Sequence, residues 1–196
     1  MGYAISNYLS NDDLQWKLTT TRFEEWISND VFRFRWWVLL AVFILSILIW
    51  WKLADKSRLT ELILFAGIVT IIILALDELG EELALWDYPV EILPLFPPIA
   101  SIDLASLPLV YSLMYQHFKT WKSYTIASII MSILSCLVLE PLFVLSGIYQ
   151  MITWKSYYGL PLYFTIAICA KIALTKISAI DSKQKSKYFK DYNHLN

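Results

Sequence analysis

The chain has 196 residues, 58% of them hydrophobic, and its mean hydropathy is +0.53. Soluble globular domains are about 45–50% apolar, so this composition excludes an ordinary soluble domain. Two cysteines are too few for a disulfide framework or a cysteine-based zinc site, and a net charge of −1 gives no support to nucleic-acid binding.

Residues 1–35 form a polar and aromatic segment that we expect to lie on the membrane surface. Asn11–Asp13 offers side chains that can cap a helix, and Thr21 with Glu24 has the spacing of a capping box. The segment lacks a basic start followed by an apolar core, so no cleavable signal peptide is predicted. The sequence therefore predicts a short N-terminal interfacial helix.

Five apolar stretches follow, each close to the roughly 20 residues that a helix needs to cross the hydrocarbon core of a bilayer. Tryptophan pairs flank the first stretch, as expected at the two membrane interfaces. The sequence predicts an all-α fold, a polytopic transmembrane helical bundle of five spans over residues 36–177. The spans are Trp36–Ala54, Leu59–Leu79, Pro98–Gln116, Tyr124–Phe143 and Tyr158–Ile177.

Basic residues are concentrated on one side of this predicted bundle. That side holds Lys52–Arg58, the connection with Lys119 and Lys122, and the tail over residues 178–196. The connection over residues 80–97, on the other side, contains no basic residue. Because cytoplasmic loops carry an excess of Lys and Arg, the sequence predicts an N-terminus outside and a basic cytoplasmic tail.

Four carboxylates fall near one depth, in the outer half of the predicted membrane. At about 1.5 Å of rise per residue, Asp77 and Glu78 lie about 27 Å along the second span, and Glu140 lies about 24 Å along the fourth. Asp103 lies about 7 Å below the outer end of the third span. Charges at such depths are costly unless they are protonated, paired, hydrogen-bonded or hydrated, so these four are predicted binding residues.

Two arrangements of this acid layer are open from the sequence. Arg33, Arg35 or Lys155, which are predicted on the same side, could pair with the carboxylates and only lock the bundle. Alternatively, the carboxylates line a pocket that binds a cation or a proton. The acids beyond the layer are predicted to form a solvated loop; they are Glu81, Glu82, Asp87 and Glu91.

The fourth span carries small and polar residues at steps of four, which predicts a tight helix-packing seam that ends in an acid. Pro141 follows this acid directly and has no N–H group to donate, so we expect a break or kink in the helix there. The members of the seam are Ser128, Ser132, Cys136 and Glu140.

Aromatic residues follow the fourth span on the predicted outer side. Tyr149 and Trp154 come first, and Tyr157, Tyr158 and Tyr163 follow them. They could anchor the protein at the membrane interface, as Tyr and Trp commonly do. They could also form an aromatic cage over the acid layer, which would bind a cationic or amphiphilic ligand through cation–π contacts.

Three stretches carry a resemblance to a known family: LWDYP, DLASLPLVYSLMYQHFKTWKSY and LEPLFVLSGIYQMITWKSYYGLPLY. From Leu85 to Tyr163 the chain resembles a family of small, uncharacterised multi-pass proteins of spore-forming Gram-positive bacteria. The resemblance implies a plasma-membrane location and no established activity, and the acid-rich DELGEE segment and the polar N-terminus depart from that family. The residues that carry it are Leu85, Trp86, Pro108, Gln116, Trp121, Tyr124, Glu140, Tyr149 and Trp154.

The leading hypothesis is that the acid layer binds, senses or translocates a small cationic or amphiphilic molecule, or protons. The alternatives are an intramembrane lipid-modifying enzyme, with Glu140 or Asp103 as general acid or base, and a structural or accessory subunit whose acids only pair with cations. No cofactor or metal site is predicted, although all-oxygen coordination of a hard cation by the acids stays open. The predicted partners are the lipid bilayer and the small ligand, and the sequence identifies no protein partner.

Overall fold

The structure is a computed structural model that describes residues 10–94 and 106–194. Within these ranges the chain is mostly helical, which confirms the helical fold class. Four helical segments in the described part are long and apolar enough to cross a membrane, as expected of a membrane protein. They are Phe34–Leu53, Lys56–Glu82, Trp121–Ser146 and Ser156–Lys185.

The N-terminal segment contains helix α1 (Asn11–Glu25), which continues into a π-helical turn at Trp26–Asp30. The cap of α1 is Ser10, whose hydroxyl accepts a hydrogen bond from the Asp13 N–H at 3.1 Å, while the Asp13 carboxylate accepts from the Ser10 N–H at 3.2 Å. The capping box predicted from Thr21 and Glu24 is therefore wrong, because the helix has already begun ten residues earlier.

Helix α2 (Phe34–Leu53) is joined to helix α3 (Leu59–Glu82) by a short 3₁₀ turn at Lys56–Arg58, and both helices contact α4 (Leu107–His117). Only 11% of the most apolar 18-residue stretch of α2 is buried, so this helix lies at the edge of the bundle. The last turn of α3 contains Gly80, where a Cβ atom would overlap the ring of Trp86. Glycine at this position lets the chain fold back onto the end of α3.

Helix α4 (Leu107–His117) is the described part of the predicted third span. Its 11 residues extend about 16 Å, roughly half of a hydrocarbon core. The Gln116 side chain fixes its end by accepting from the Asp55 N–H at 2.7 Å and donating to the Leu53 carbonyl at 3.1 Å. The upstream half, including Asp103, lies outside the described residues, so the prediction of five spans is not confirmed.

The fourth predicted span is one continuous helical segment with a π-helical turn inside it. The Glu140 N–H donates to the Ser135 carbonyl, five residues earlier. Pro141 cannot donate, and in a regular α-helix its ring would meet the Leu137 carbonyl, so the wider turn is the break expected from the sequence. The parts are helix α5 (Trp121–Leu134), the π turn (Ser135–Leu139) and helix α6 (Glu140–Ser146).

Helix α7 (Gly159–His194) continues through the segment predicted as a polar tail. This segment contains neither glycine nor proline, and the Asp181 carboxylate pairs with Lys185 one turn later at 2.8 Å. Pairs at this spacing stabilise exposed helices slightly, which explains why a polar sequence remains helical here.

The core of the bundle lies where α3, α4, α5 and α7 meet. Its largest fully buried side chains include Phe65, Tyr111 and Tyr124. The Tyr124 hydroxyl donates to the Ala167 carbonyl at 3.0 Å and so links α5 to α7. The seam predicted from small residues on the fourth span is buried, as expected; it comprises Ser128, Ser132 and Cys136 together with Glu140.

Two connections at one end of the bundle pair with each other, and we call residues 83–94 and 147–157 the lid. Strand β1 (Trp86–Asp87) and strand β2 (Gln150–Met151) form a short antiparallel ladder. Next to it, the Leu85 carbonyl accepts three backbone N–H groups at 3.0–3.1 Å; their residues are Ile152, Thr153 and Trp154.

The N-terminal segment and helix α2 each hold one part of the lid through a tryptophan. The Trp26 indole donates to the Glu91 carbonyl at 3.1 Å, and the Trp36 indole donates to the Ile92 carbonyl at 3.1 Å. These two bonds connect the start of the chain to the acidic connection, across more than fifty residues of sequence.

Candidate functional site

A cavity of about 270 Å³ lies beneath the lid, among the helices that form the core. Most of its lining is aliphatic or aromatic, and none of the described residues that line it is Lys, Arg or His. A small apolar cavity with a few convergent polar groups is the usual form of a ligand site in a protein. Its polar lining comprises Ser46, Asp77, Tyr88, Ser106, Ser135, Glu140, Tyr149 and Tyr163.

Glu140 is the most deeply buried carboxylate of the cavity wall, with 6% of its surface exposed. Its Oε1 atom accepts a hydrogen bond from the Tyr163 hydroxyl at 3.0 Å. Its Oε2 atom is buried and has no hydrogen-bond partner among the described residues. The Ser156 hydroxyl faces the same carboxyl group but donates to the Met151 sulfur at 3.6 Å. In the described part of the chain, one oxygen of Glu140 therefore accepts no hydrogen bond of ordinary geometry.

Gly159 makes the position of the Glu140 carboxyl group possible. A Cβ atom on Gly159 would lie 2.9 Å from both Glu140 Oε1 and Cys136 Sγ, and 3.1 Å from Tyr163 Cε2. Such distances are shorter than van der Waals contact, so any larger residue would displace the carboxyl group. Gly159 was not predicted as a site residue. Glycine is rare in this chain, with five residues, and the position of Gly159 directly after Tyr157 and Tyr158 was the signal that could have indicated it.

Asp77 lines the same cavity, and its Oδ1 atom accepts from the Tyr88 hydroxyl at 3.1 Å. Glu78, the next residue, is half-buried and does not line the cavity. Successive helical residues point about 100° apart, which accounts for the difference. Of the four predicted acids, the structure brings Asp77 and Glu140 together, leaves Glu78 aside, and does not describe Asp103.

The predicted charge partners lie elsewhere. Arg35 donates to the Gly147 carbonyl at 3.4 Å, and a Cβ on Gly147 would lie only 2.7 Å from the guanidinium. Arg33 and Lys155 are exposed. In the described part of the chain, none of the three pairs with a carboxylate, since the ion pairs there join Arg58 to Glu61 and Lys185 to Asp181. The buried carboxyl of the cavity is therefore not neutralised by them.

Aromatic rings from both halves of the lid cover the cavity. Tyr149 packs against Tyr88 with ring centroids 5.4 Å apart, and Trp154 packs edge-on against Trp86 at 4.9 Å. All four rings line the cavity. Sequence reasoning proposed Tyr149 and Trp154 but not Trp86 and Tyr88, which belong to the LWDYP stretch and reach the cavity only through the lid ladder.

The acidic connection is only partly solvated, in contrast to the prediction. Glu82 and Asp87 are exposed, whereas Glu81 and Glu91 are half-buried. Burial raises the pKa of Glu91 from 4.5 to about 7. Arg22 opposes this rise, and the carboxylates of Glu81, Asp87 and Asp30 add to it. The reason is that the N-terminal segment covers this connection.

A buried lysine that sequence reasoning missed lies on the part of α7 far from the lid. Lys171 is 4% exposed, and its ammonium group lies 4.1 Å from the centroid of the Tyr124 ring. It donates at 3.3–3.5 Å to the backbone carbonyls of the α4–α5 connection, which are those of Phe118, Lys119 and Thr120. Lys171 thus has a structural role, because it holds α7 against the connection between α4 and α5.

No cluster of three or more side chains suited to hold a metal ion occurs in the described ranges. Comparison of the chain with models of known protein families, with curated proteins and with solved structures finds no match, so the resemblance to small multi-pass proteins of spore-forming bacteria stays a prediction.

Proposed function

We propose that this multi-pass membrane protein binds a small amphiphilic cation in the cavity beneath the lid. The observation that carries the proposal is the Glu140 carboxyl group, which is buried in an apolar wall with one oxygen unbonded within the described chain. A buried charge is costly unless a partner compensates it, and a ligand ammonium group would supply that partner.

The rest of the cavity suits the apolar part of such a ligand. Aliphatic side chains from several helices form most of the wall, and four aromatic rings cover it. Aromatic faces attract cations, and this attraction increases when water is excluded. A volume of about 270 Å³ fits a molecule with one ring or a short chain better than a complete lipid.

A second candidate is the binding or transfer of a proton. Each of the two carboxylates on the cavity wall accepts a hydrogen bond from a tyrosine hydroxyl, Tyr163 for Glu140 and Tyr88 for Asp77. Tyrosine hydroxyls can both donate and accept, so such pairs can take part in a proton pathway.

We further propose that the chain crosses the plasma membrane five times, with the N-terminus and the lid outside and the C-terminus in the cytoplasm. The distribution of lysine and arginine supports this orientation. The hydrogen bonds of Gln116 with Leu53 and Asp55 support it too, because they join the end of α4 to the basic α2–α3 connection.

Calorimetric titration of the purified protein in mild detergent tests the proposed function. The probe is 2-phenylethylammonium, and neutral 2-phenylethanol is the matched control ligand. We expect the wild type to bind the amine at least about tenfold more tightly than the alcohol, because a bond to a charged group contributes about 1.5–3 kcal/mol. Glu140→Gln should remove this preference, while Glu82→Gln, at an exposed position, should retain it.

Equal affinity of wild type and Glu140→Gln for the amine would contradict the proposal. Native mass spectrometry of the same preparations provides an independent comparison. A small molecule that co-purifies with the wild type and with Glu82→Gln, but not with Glu140→Gln, would support it and identify the natural ligand.

A further inference from the structure

We infer that the ligand is a protonated amine with at least one N–H donor that also carries an oxygen acceptor, as in an amino alcohol. This inference rests on the proposed function and specifies the chemical class of its ligand. It follows from three buried polar atoms on the cavity wall that have no hydrogen-bond partner in the described part of the chain; they are Glu140 Oε2, Trp86 Nε1 and Ser135 Oγ.

Glu140 Oε2 is an acceptor and therefore requires a donor from the ligand. A protonated primary, secondary or tertiary amine has at least one N–H donor, whereas a quaternary ammonium group has none. A quaternary ligand would supply charge but leave the buried oxygen without a hydrogen bond, which costs free energy. The aromatic cover alone would accept either class of cation, so the carboxylate oxygen distinguishes them.

The Trp86 indole N–H is a donor and therefore requires an acceptor. Its side chain is 6% exposed and lines the cavity. Three other buried or half-buried indoles in the described part of the chain donate to acceptors at 2.6–3.1 Å. Trp26 and Trp36 donate to lid carbonyls, and Trp50 donates to the Ser112 hydroxyl. The contrast indicates that Trp86 has a ligand oxygen as its partner.

Ser135, one π-helical turn before Glu140, lines the same cavity and supports the same assignment. The neighbouring buried serines of this helical segment donate to backbone carbonyls one turn earlier at 2.8 Å, namely Ser128 to Tyr124 and Ser132 to Ser128. Ser135, which is 2% exposed and begins the π turn, has no such bond. Its hydroxyl can donate or accept, so it can serve either polar group of the ligand.

Three related probes separate the parts of this inference by calorimetric titration of the full chain. They are 2-phenylethylamine, its N,N,N-trimethyl derivative and 2-amino-1-phenylethanol. We expect the wild type to bind the primary amine about tenfold or more tightly than the trimethylated probe. The added hydroxyl group should strengthen binding by about threefold to tenfold.

Two variants identify the residue that recognises the oxygen. Trp86→Phe keeps an aromatic ring but removes the N–H donor, so the gain in affinity from the ligand hydroxyl should vanish. Trp16→Phe, at a position 71% exposed on α1, should keep the gain. Should Trp86→Phe fail to fold, Ser135→Ala and the probe series on the wild type still decide the question.

The outcomes distinguish this inference from the proposed function. If the trimethylated probe binds as tightly as the primary amine while Glu140→Gln weakens both, the ligand class is wrong and the proposed function stands. If the hydroxyl adds nothing in the wild type, water satisfies Trp86 and the acceptor part is overturned. If no cationic probe binds the wild type, both the inference and the proposed function fail.

Discussion

At the scale of single residues, the site depends on a glycine, because a larger side chain there would not fit. Gly159 lies against the carboxyl group of Glu140, the thiol of Cys136 and the ring of Tyr163. Cys136 and Glu140 are buried, and Tyr163 is half-buried. A methyl group at this position would therefore push the carboxyl group away from the Tyr163 hydroxyl, and a site residue would lose its orientation without being mutated.

We expect Gly159→Ala to lower the thermal midpoint of the purified protein by several degrees, because overpacking costs about 1–3 kcal/mol. The same variant should weaken amine binding. Gly67→Ala provides a matched control, because a Cβ there meets nothing within 4 Å. Alanine is more favourable than glycine in the interior of a helix. Gly67→Ala should therefore leave the thermal midpoint unchanged or raise it slightly. Equal behaviour of the two variants in scanning fluorimetry would contradict the tight contact at Gly159.

Individual site residues were predictable from the sequence to different degrees. Asp77 and Glu140 could be predicted from their depth in the membrane, because apolar runs locate a span and the helical rise per residue then gives the depth of each side chain. The same depth also predicted Glu78, which does not line the cavity, because depth does not determine which face of a helix contacts its neighbours. Trp86 and Tyr88 escaped prediction, since their positions depend on the pairing of two connections distant in sequence.

At the scale of elements, the acidic connection is held between the N-terminal segment and the end of α3. The Trp26 indole binds its backbone at Glu91, whose side chain is half-buried among other carboxylates. In the folded protein the pKa of Glu91 rises from 4.5 to about 7, so folding favours its protonated form. The folded state then binds more protons than the unfolded state between these two values, and stability falls as pH increases across that interval.

Proton binding by Glu91 should therefore stabilise the folded wild type. We expect this stabilisation, measured as a higher thermal midpoint, to be complete below pH 4.5 and to be lost by about pH 7. Glu91→Gln should remove this contribution, because glutamine does not ionise. Glu82→Gln, which is exposed, should retain it. Scanning fluorimetry from pH 4.5 to 8 measures the difference, and parallel curves for wild type and Glu91→Gln would overturn the assignment.

The sequence predicted the long helices better than it predicted the connections. Hydrophobic length located α2 and α3, and Pro141 indicated the irregular turn before α6. The lid ladder could not be predicted, because two-residue strands have no periodicity and form only through bonds to a distant connection. The helical continuation of α7 also escaped prediction, because its polar composition was interpreted as a tail.

At the scale of the whole molecule, the length of the apolar stretches indicates a membrane protein. Four helical segments in the described chain have the length of a membrane span, and a fifth predicted span is represented there only by the short helix α4. Apolar length could predict the class of protein. The number of crossings stays a prediction, because only residues 106–116 of the third predicted span lie in the described part of the chain.

The proposed five crossings place the two ends of the chain on opposite sides of the membrane. We expect an epitope tag at the N-terminus to be cleaved by an external protease in intact cells. A C-terminal tag should be protected until the membrane is permeabilised, because the lysine-rich end faces the cytoplasm. Immunoblotting of the two tagged proteins measures this, and equal accessibility of both tags would mean an even number of crossings.

The convergence of three N–H groups on the Leu85 carbonyl has a mechanical consequence. Residues 147–157 cannot lift from the bundle unless these bonds break or residues 83–94 move with them. The Trp26 indole of the N-terminal segment and the Trp36 indole of α2 hold the latter, so both would resist its movement. A molecule that approaches from above thus meets one coupled cover built from three parts of the chain, whereas a molecule that slips in sideways between helices need not disturb it.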